Sequence, residues 1–162
     1  MNSKTQNDIE STLKSIAWFS LILLVTLSQF GCQSVRLVSD YDEMIDKGVT
    51  SIQKKIEMFL TDVEKEGRTP SNDLSITDGK FFDEVLVDIS SLRLRAEATL
   101  NNEITIEMLE SLNDSVLTLK TLVKEGISTE QVKPIRSAIN TSVGAILKFE
   151  IAKKRGEKES KS

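Results

Sequence analysis

Residues 40–67 read DYDEMIDKGVTSIQKKIEMFLTDVEKEG and carry the clearest helical pattern in the chain. Their apolar residues recur at alternating spacings of four and three, which places them on one stripe of an α-helix. The stripe consists of Ile45, Val49, Ile52, Ile56, Phe59 and Val63. Asp40 with Glu43 three residues later has the pattern of a capping box, and Gly67 is a typical helix stop. The stretch therefore predicts an amphipathic helix over residues 40–66.

Three further segments carry the same rhythm and make the chain all-α. Their stripes are Phe82, Val85, Ile89, Leu92 and Ala96; Leu109, Leu112, Val116, Leu119 and Val123; and Val132, Ile135, Ile139, Val143, Ile146 and Phe149. These patterns predict helices over residues 78–100, 105–125 and 128–155. Because the last two connections are very short, the helices that they join must run antiparallel.

We therefore predict four long amphipathic helices in an up-down-up-down bundle over residues 40–155. Residues 156–162 are polar, and we expect them to be a disordered tail. The four stripes can bury one another, so the sequence predicts a monomer or at most a weak dimer.

Upstream of the bundle, residues 16–32 read IAWFSLILLVTLSQFGC and end in the single cysteine of the chain. The apolar part, residues 16–27, is too short to span a bilayer, which needs about 20 residues. Its length is typical of the apolar core of a secretory signal peptide. Residues 1–31 are therefore predicted to be a cleaved signal peptide.

Cys32, directly after the small residue Gly31, resembles the lipobox cysteine of bacterial lipoproteins. That resemblance implies cleavage before Cys32, attachment of diacylglycerol to its thiol, and usually acylation of the new amine. Several acyl chains give stable membrane anchoring, whereas one chain binds only marginally. Gln29 and Phe30 depart from the residues usual in that motif, so two alternatives stay open: an uncut signal anchor, and a plain signal peptide with an incidental cysteine.

Residues 32–39 are predicted to be the lipidated cysteine and a short tether. Seven extended residues reach at most about 25 Å, so the bundle is expected to stay close to the membrane. Gln33 stands where an Asp favours inner-membrane retention in enteric lipoproteins. The expected location is therefore the periplasmic face of the outer membrane.

The composition argues against several classes of function. The chain has 21 Lys and Arg against 25 Asp and Glu, a formal net charge of −4, and nucleic-acid-binding proteins normally show a basic surface. It contains no histidine, which is the commonest general base and metal ligand. Its glycines are scattered and form no phosphate loop. We expect no nucleic-acid partner, no metal, no cofactor and no enzymatic activity.

Two carboxylate pairs lie one helical turn apart: Asp42 with Asp46, and Glu107 with Glu110. Such pairs can bind a cation or act as acid and base, as they do in glycosidases. They also arise on any densely charged helix surface, and we prefer that interpretation. The predicted set of catalytic, cofactor-binding and metal-binding residues is therefore empty, and Cys32 is the one predicted site.

Three other features have a functional and a structural interpretation, and the structural one is preferred for each. Ser142 can bond to a carbonyl one turn back rather than act as a nucleophile. Phe81 and Phe82 can form part of the core rather than a ligand cage. Tyr41 can hold the start of the first helix against the body rather than mark a contact surface.

A basic cluster ends the last predicted helix. It comprises Lys153, Lys154, Arg155, Lys158 and Lys161. These cations can stabilise the carboxyl end of the helix dipole and keep the tail soluble. Alternatively, if the first helix leads away from the membrane, the cluster returns to it and can contact anionic headgroups.

Four segments of the chain resemble a family of small outer-membrane lipoproteins of proteobacteria. They read LVSDYDEMIDKGVTSIQKKIEMFL, FFDEVLVDISSLRLRAEA, NNEITIEMLESLNDSVLTL and GAILKFEIAKKRGE. The resemblance covers residues 39–157 and implies a lipid anchor. Because no activity is assigned to that family, it implies no catalytic or ligand-binding residue.

These observations predict a lipid-anchored, periplasm-facing helical protein that serves as a structural or protein-interaction module of the bacterial envelope. Leu74, Ile76, Leu94 and Leu117 lie off the apolar stripes and are candidates for contact with an unidentified envelope protein. The alternative is a module that binds a small apolar ligand or lipid between its helices.

Overall fold

The computed structural model describes residues 38–68 and 75–160, and four α-helices account for most of them. They are α1 Glu43–Glu66, α2 Ile76–Glu97, α3 Glu103–Glu125 and α4 Thr129–Ser160. The predicted all-α class is confirmed, and each helix boundary agrees with the sequence analysis to within a turn except the end of α4.

The helices form a ring in which each packs against two neighbours: α1 against α2 and α4, and α3 against the same two. Ion pairs across the interfaces show the directions. Lys55 of α1 pairs with Asp88 of α2, Arg93 of α2 with Glu110 of α3, and Glu57 of α1 with Arg136 of α4. A second contact in each of these interfaces fixes the direction: Asp42 meets Arg95, Asp83 meets Lys120, and Gln53 meets Asn140. As one helix advances its partner recedes, so the helices are antiparallel, as in the up-down-up-down bundle predicted.

The core consists of the predicted apolar stripes. The α1 and α3 stripes are buried throughout, while Leu92 and Ile135 are half-buried at the margin of the core. Phe149, predicted to face inward, is only half-buried. Gly48 lets α2 approach α1 closely, because a Cβ at this position would lie 2.6 Å from a methyl carbon of Leu92.

Helix α1 begins two residues later than a cap at Asp40 predicts. Asp42 is the N-cap, and its carboxylate accepts hydrogen bonds from the backbone amides of Met44 (2.8 Å) and Ile45 (3.4 Å). The other oxygen of the Asp42 carboxylate accepts from Arg95 of α2 at 2.6 Å. The predicted capping box from Asp40 to Glu43 is therefore wrong, because a distant cation favours the second aspartate.

Two ends of the bundle differ in what they bury. We call the entry end the one built from residues 38–44, 94–105 and 150–160, where the chain enters the bundle. The opposite end is built from residues 59–68, 75–82 and 123–130. All of these residues belong to one compact unit, Leu37–Ser162.

Helix α4 is the longest, with 32 residues, and it continues past the start of α1. Residues 156–160 are helical, whereas the sequence predicted a disordered tail over residues 156–162; residues 161 and 162 lie outside the described part. The chain before α1 explains the difference. The amide of Tyr41 donates a hydrogen bond to Glu157, and the ammonium of Lys154 lies 4.5 Å from the centre of the Tyr41 ring.

At the opposite end, a pair of backbone hydrogen bonds joins the loop after α1 to the turn before α4. The Arg68 amide donates to the Ile127 carbonyl at 2.8 Å, and the Ile127 amide donates to the Arg68 carbonyl at 2.9 Å. Gly67 has a φ of 67°, and a Cβ there would lie 3.1 Å from the Ile127 carbonyl oxygen. A glycine is therefore required where α1 turns into this bridge.

Candidate functional site

The predicted lipidation site, Cys32, lies outside the described residues, as do the apolar run over residues 16–27 and most of the tether. The structure therefore shows the contacts of the end of the tether only from Val38 onward. At that point it contains an unusual feature, a group of buried polar side chains inside the entry end.

The polar cluster comprises five side chains: Ser39, Asn102, Thr105, Glu150 and Lys153. All are buried; Thr105 and Glu150 are 0 % exposed and Lys153 is 7 % exposed. They come from the chain before α1, from the start of α3 and from α4. The cluster therefore ties together three segments that are distant in sequence.

Lys153 lies at the centre of the cluster. Its ammonium group donates to Asn102 Oδ1 at 2.7 Å, to Thr105 Oγ1 at 2.8 Å and to Glu150 Oε1 at 2.7 Å. An ammonium has three N–H donors, and all three are used here. The ammonium also lies 5.0 Å from the centre of the Phe149 ring. Lys153 is therefore held by protein groups on every donor and has no N–H left for a ligand.

Glu150 supplies the opposite charge and is equally well bonded. Its Oε1 accepts from Lys153 and from the Thr105 hydroxyl at 3.1 Å, while its Oε2 accepts from the backbone amide of Asp42 at 3.1 Å. A buried ion pair needs such additional hydrogen bonds, because the attraction between the charges alone rarely offsets their desolvation. The pair thus has the hydrogen bonds that a buried ion pair needs to be stable in the fold.

The cluster also fixes the chain that arrives from the tether. The Ser39 hydroxyl donates to Asn102 Oδ1 at 2.7 Å, and the Ser39 amide donates to the Asn101 carbonyl at 2.8 Å. The Asn102 amide group in turn donates to the carbonyl of Ala96 at 3.2 Å. Residues 39–42 are therefore hydrogen-bonded to the α2–α3 turn and to α4 before α1 begins.

Lys153 is buried, so the predicted basic cluster at the end of the last helix is wrong for this residue. The apolar stripe of α4 continues from Val143 and Ile146 at the same spacing to Glu150 and Lys153. The spacing therefore indicated that Glu150 and Lys153 face the core, but their charge suggested a face in contact with solvent. Lys154, Arg155 and Lys158 are exposed as predicted, and Lys161 lies outside the described residues.

The first carboxylate pair from the sequence does not form a joint site. Asp42 caps α1, as described, and Asp46 accepts a hydrogen bond from the Tyr41 hydroxyl at 2.8 Å. Burial alone would raise the pKa of Asp42, but its hydrogen bonds from Arg95, Met44 and Ile45 outweigh burial and lower it. Each carboxylate thus has its own structural partner.

The second pair lies on the outside of α3. Glu107 and Glu110 both face away from the core, and Glu110 lies 3.6 Å from the guanidinium of Arg93. Ser142 donates to the carbonyl of Ala138 at 3.4 Å, which agrees with the structural interpretation preferred from sequence.

The aromatic residues that the sequence singled out also have structural partners. Phe59 and Phe81 are stacked with ring centres 4.2 Å apart, and Phe82 meets both rings edge-on at 5.3 and 5.0 Å. Tyr41 holds the start of α1 through Asp46 and Lys154. The hydrogen bond to Asp46, together with burial and nearby negative charge, raises the pKa of Tyr41 to about 12.

The opposite end holds a second charged group, centred on Arg68. Its guanidinium bonds to Asp78 at 3.1 Å and to Asp62 at 2.8 Å, and it lies 5.7 Å from the centre of the Phe59 ring. Burial alone would lower the pKa of Arg68, but the two aspartates raise it. Unlike Lys153, Arg68 is partly exposed, with a fifth of its side chain in contact with solvent.

Within residues 38–68 and 75–160, no three His, Cys, Asp or Glu side chains are grouped so that they could hold a metal ion. None of the helices in this part of the chain is long and apolar enough to cross a membrane. Comparison of the chain with protein-family models, with curated proteins and with solved structures finds no match.

Proposed function

We propose that this protein is a lipid-anchored, periplasm-facing module of the bacterial envelope, held at the outer membrane through Cys32, with a structural or protein-interaction role. The observation that carries the proposal is the bonding of residues 39–42 into the end of the bundle. A tether without contacts to the bundle would leave the bundle free to rotate relative to the membrane. Here residues 39–42 are fixed to two other segments, and Ser39 is seven residues from Cys32, so an anchor at Cys32 would hold the bundle within about 25 Å of the membrane.

A surface for a protein partner is available on the outward side of α2 and α3. Val87 is 63 % exposed, Leu94 61 % and Leu117 42 %. Val87 and Leu94 are seven residues apart and share one helix face. The ion pairs Asp83–Lys120 and Arg93–Glu110 set the register of the two helices and put Leu117 at nearly the level of Val87.

Two of the four apolar candidates from the sequence, Leu94 and Leu117, belong to this surface, and Val87 extends it. Leu74 and the side chain of Ile76 lie outside the described part of the chain. The proposed partner surface is therefore formed by residues of α2 and α3 alone.

The alternative, a module that encloses a small apolar ligand, has weaker support. The groove between α2 and α3 has a volume of about 400 Å³, but it is open and mostly polar. Its lining residues are Ile89, Ser90, Arg93, Glu110, Asn113 and Asp114. Ligand pockets are lined mainly by apolar and aromatic side chains, so this groove favours contact with a polar surface rather than an apolar ligand.

The anchor is tested by metabolic labelling with a clickable palmitate analogue in a bacterial host. We expect the wild-type chain to take up the label and to fractionate with the outer membrane. Cys32→Ser should lose the label and stay as the uncut precursor. Equal labelling of the two proteins would exclude lipidation at Cys32.

The partner surface is tested by photo-crosslinking in intact cells. A photoreactive amino acid at position 87 or 117 should yield a discrete crosslinked species, because both positions lie on the proposed surface. Position 58 is the matched control: Met58 is 75 % exposed but lies on α1, outside the proposed surface. Crosslinks of equal yield at all three positions, or at none, would contradict a specific surface on α2 and α3.

A further inference from the structure

Large apolar side chains are exposed unevenly over the bundle. Eight of those that the structure describes are substantially exposed. Five belong to the entry end, and the other three lie in the middle of α1, α2 and α3. The five are Met44, Leu94, Leu100, Ile104 and Ile151. At the opposite end, no large apolar side chain that the structure describes within residues 59–68, 75–82 and 123–130 is substantially exposed.

Leu100 is the most exposed of them, at 88 %, and it lies beside the point where the chain enters. The next residue, Asn101, accepts a hydrogen bond from the Ser39 amide through its carbonyl. Leu100 is therefore one residue from the junction of tether and bundle. Ile104, 44 % exposed, follows in the first turn of α3.

The number of residues between Cys32 and Ser39 limits how far the entry end can lie from a membrane anchor at Cys32. From Cys32 to Ser39 there are seven residue steps, which extend to at most about 25 Å. If Cys32 carries acyl chains, the headgroup surface lies within that reach of the Ser39 junction beside Leu100. A lipid surface is thus the nearest large apolar phase for the entry end.

From this placement we propose that the entry end docks onto the lipid surface, with Leu100 and Ile104 entering the interfacial region. The proposal rests on the membrane anchor of the proposed function and adds an orientation: α1 leads away from the membrane, and the Arg68 bridge lies at the distal end. It assigns Met44, Leu100, Ile104 and Ile151 to lipid, whereas Leu94 stays with the protein-partner surface on α2 and α3.

Charge does not drive this contact. Lys154, Arg155 and Lys158 are exposed at the entry end, but Lys153 is buried on Glu150 and cannot reach headgroups. Arg95 is a fourth exposed cation there, and exposed acidic groups oppose the four; they are Asp40, Glu43, Glu97, Glu103 and Glu159. The contact is therefore apolar, and salt, which screens exposed charges, should leave it unchanged.

The test uses the full chain, produced in a bacterial host and reconstituted into phospholipid vesicles, with and without brominated acyl chains. Leu100→Trp reports on the entry end, and Met58→Trp is the control, an exposed apolar position in the middle of α1. Each spectrum is compared with that of the parent protein, so that any signal from Trp18 in an uncut chain is subtracted. Both positions are solvent-exposed, so neither substitution disturbs the core.

We expect the tryptophan at position 100 to emit at shorter wavelength in vesicles and to lose most of its emission with brominated lipid, at low and at physiological salt. The tryptophan at position 58 should stay unquenched. If the protein floats with the vesicles but both tryptophans stay unquenched, the anchor stands and docking is overturned. If the protein does not float, the anchor and docking both fail. Shielding of position 100 only in native membranes that contain proteins would assign this end to a protein partner and overturn the lipid contact.

Discussion

The two ends of the bundle differ in the side chains that they bury and expose. The entry end buries a lysine, a glutamate and three polar side chains, and it exposes apolar residues such as Leu100. The opposite end buries Ile127 and packs three phenylalanine rings, and Arg68 covers one of them with a charge. The entry end thus combines buried charge with exposed apolar surface, whereas the apolar side chains described at the opposite end are largely covered, and the buried carboxylate of Asp78 pairs there with the partly exposed Arg68.

The largest effect should come from breaking the buried pair at the entry end. Lys153→Met leaves Glu150 charged and buried without its cation, which costs about 3–5 kcal/mol of unfolding free energy. Urea denaturation followed by circular dichroism measures this loss. Lys148→Met is the matched control; this lysine is exposed on the same helix, so its effect should stay within about 0.5 kcal/mol.

A second variant sharpens this result. Adding Glu150→Leu to Lys153→Met removes the orphaned charge, so the double variant should recover part of the loss. If Lys153→Met is no more destabilising than Lys148→Met, the buried position of Lys153 is wrong.

The opposite end should respond to loss of apolar volume instead. Ile127 is 2 % exposed, and truncation of a buried isoleucine to alanine costs about 2–5 kcal/mol. We expect Ile127→Ala to fall in this range by the same denaturation assay, with an effect that does not change between about pH 5 and pH 8, since no charge is removed. A change below that of an exposed substitution would show that the bridge residue is not part of the core.

The sequence predicted most of the fold and little of the polar cluster. Heptad-like stripes in all four helices, glycine stops and short connections were sufficient for the bundle, because periodicity reports directly on which face is buried. The burial of Glu150 and Lys153 was not predicted, because charged residues usually face solvent even where their spacing continues an apolar stripe. The cap at Asp42 was missed for another reason: its partner, Arg95, is 53 residues away, and no local pattern reports such a contact. Which apolar side chains stay exposed also depends on packing between helices.

A backbone test separates the bridge at the opposite end from its side chains. Gly67 has φ 67° and ψ −169°, a region that is essentially restricted to glycine, so Gly67→Ala should cost about 1–3 kcal/mol. Gly144→Ala is the control, because a Cβ in α4 at that position meets nothing within 4 Å. It should stabilise the protein by up to about 1 kcal/mol through helix propensity. Equal shifts in melting temperature for the two variants would contradict the geometry at Gly67.

The smallest effect concerns the cap at the entry end. Asp42→Ala should cost about 0.5–2 kcal/mol, whereas Asp42→Asn keeps a capping side chain and should lose less. Because folding lowers the pKa of Asp42 below its ordinary value, its charge stabilises the fold above about pH 4, and this contribution is lost as pH falls further. The difference in stability between wild type and Asp42→Asn should therefore shrink below about pH 4. A difference that grows on acidification would contradict the ion pair with Arg95.

The backbone bridge between Arg68 and Ile127 has a practical consequence for protein engineering. The chain is fixed at Arg68 by the bridge and again at Ser75, whose hydroxyl accepts a hydrogen bond from the Asp78 amide at 3.0 Å. With both attachment points held, doubling the length of the chain between them costs only about 0.6 kcal/mol in closure entropy. A reporter peptide or a small domain inserted there would be carried on the side of the bundle away from the chain entry. The bundle could thus serve as a short display stalk without redesign of its core.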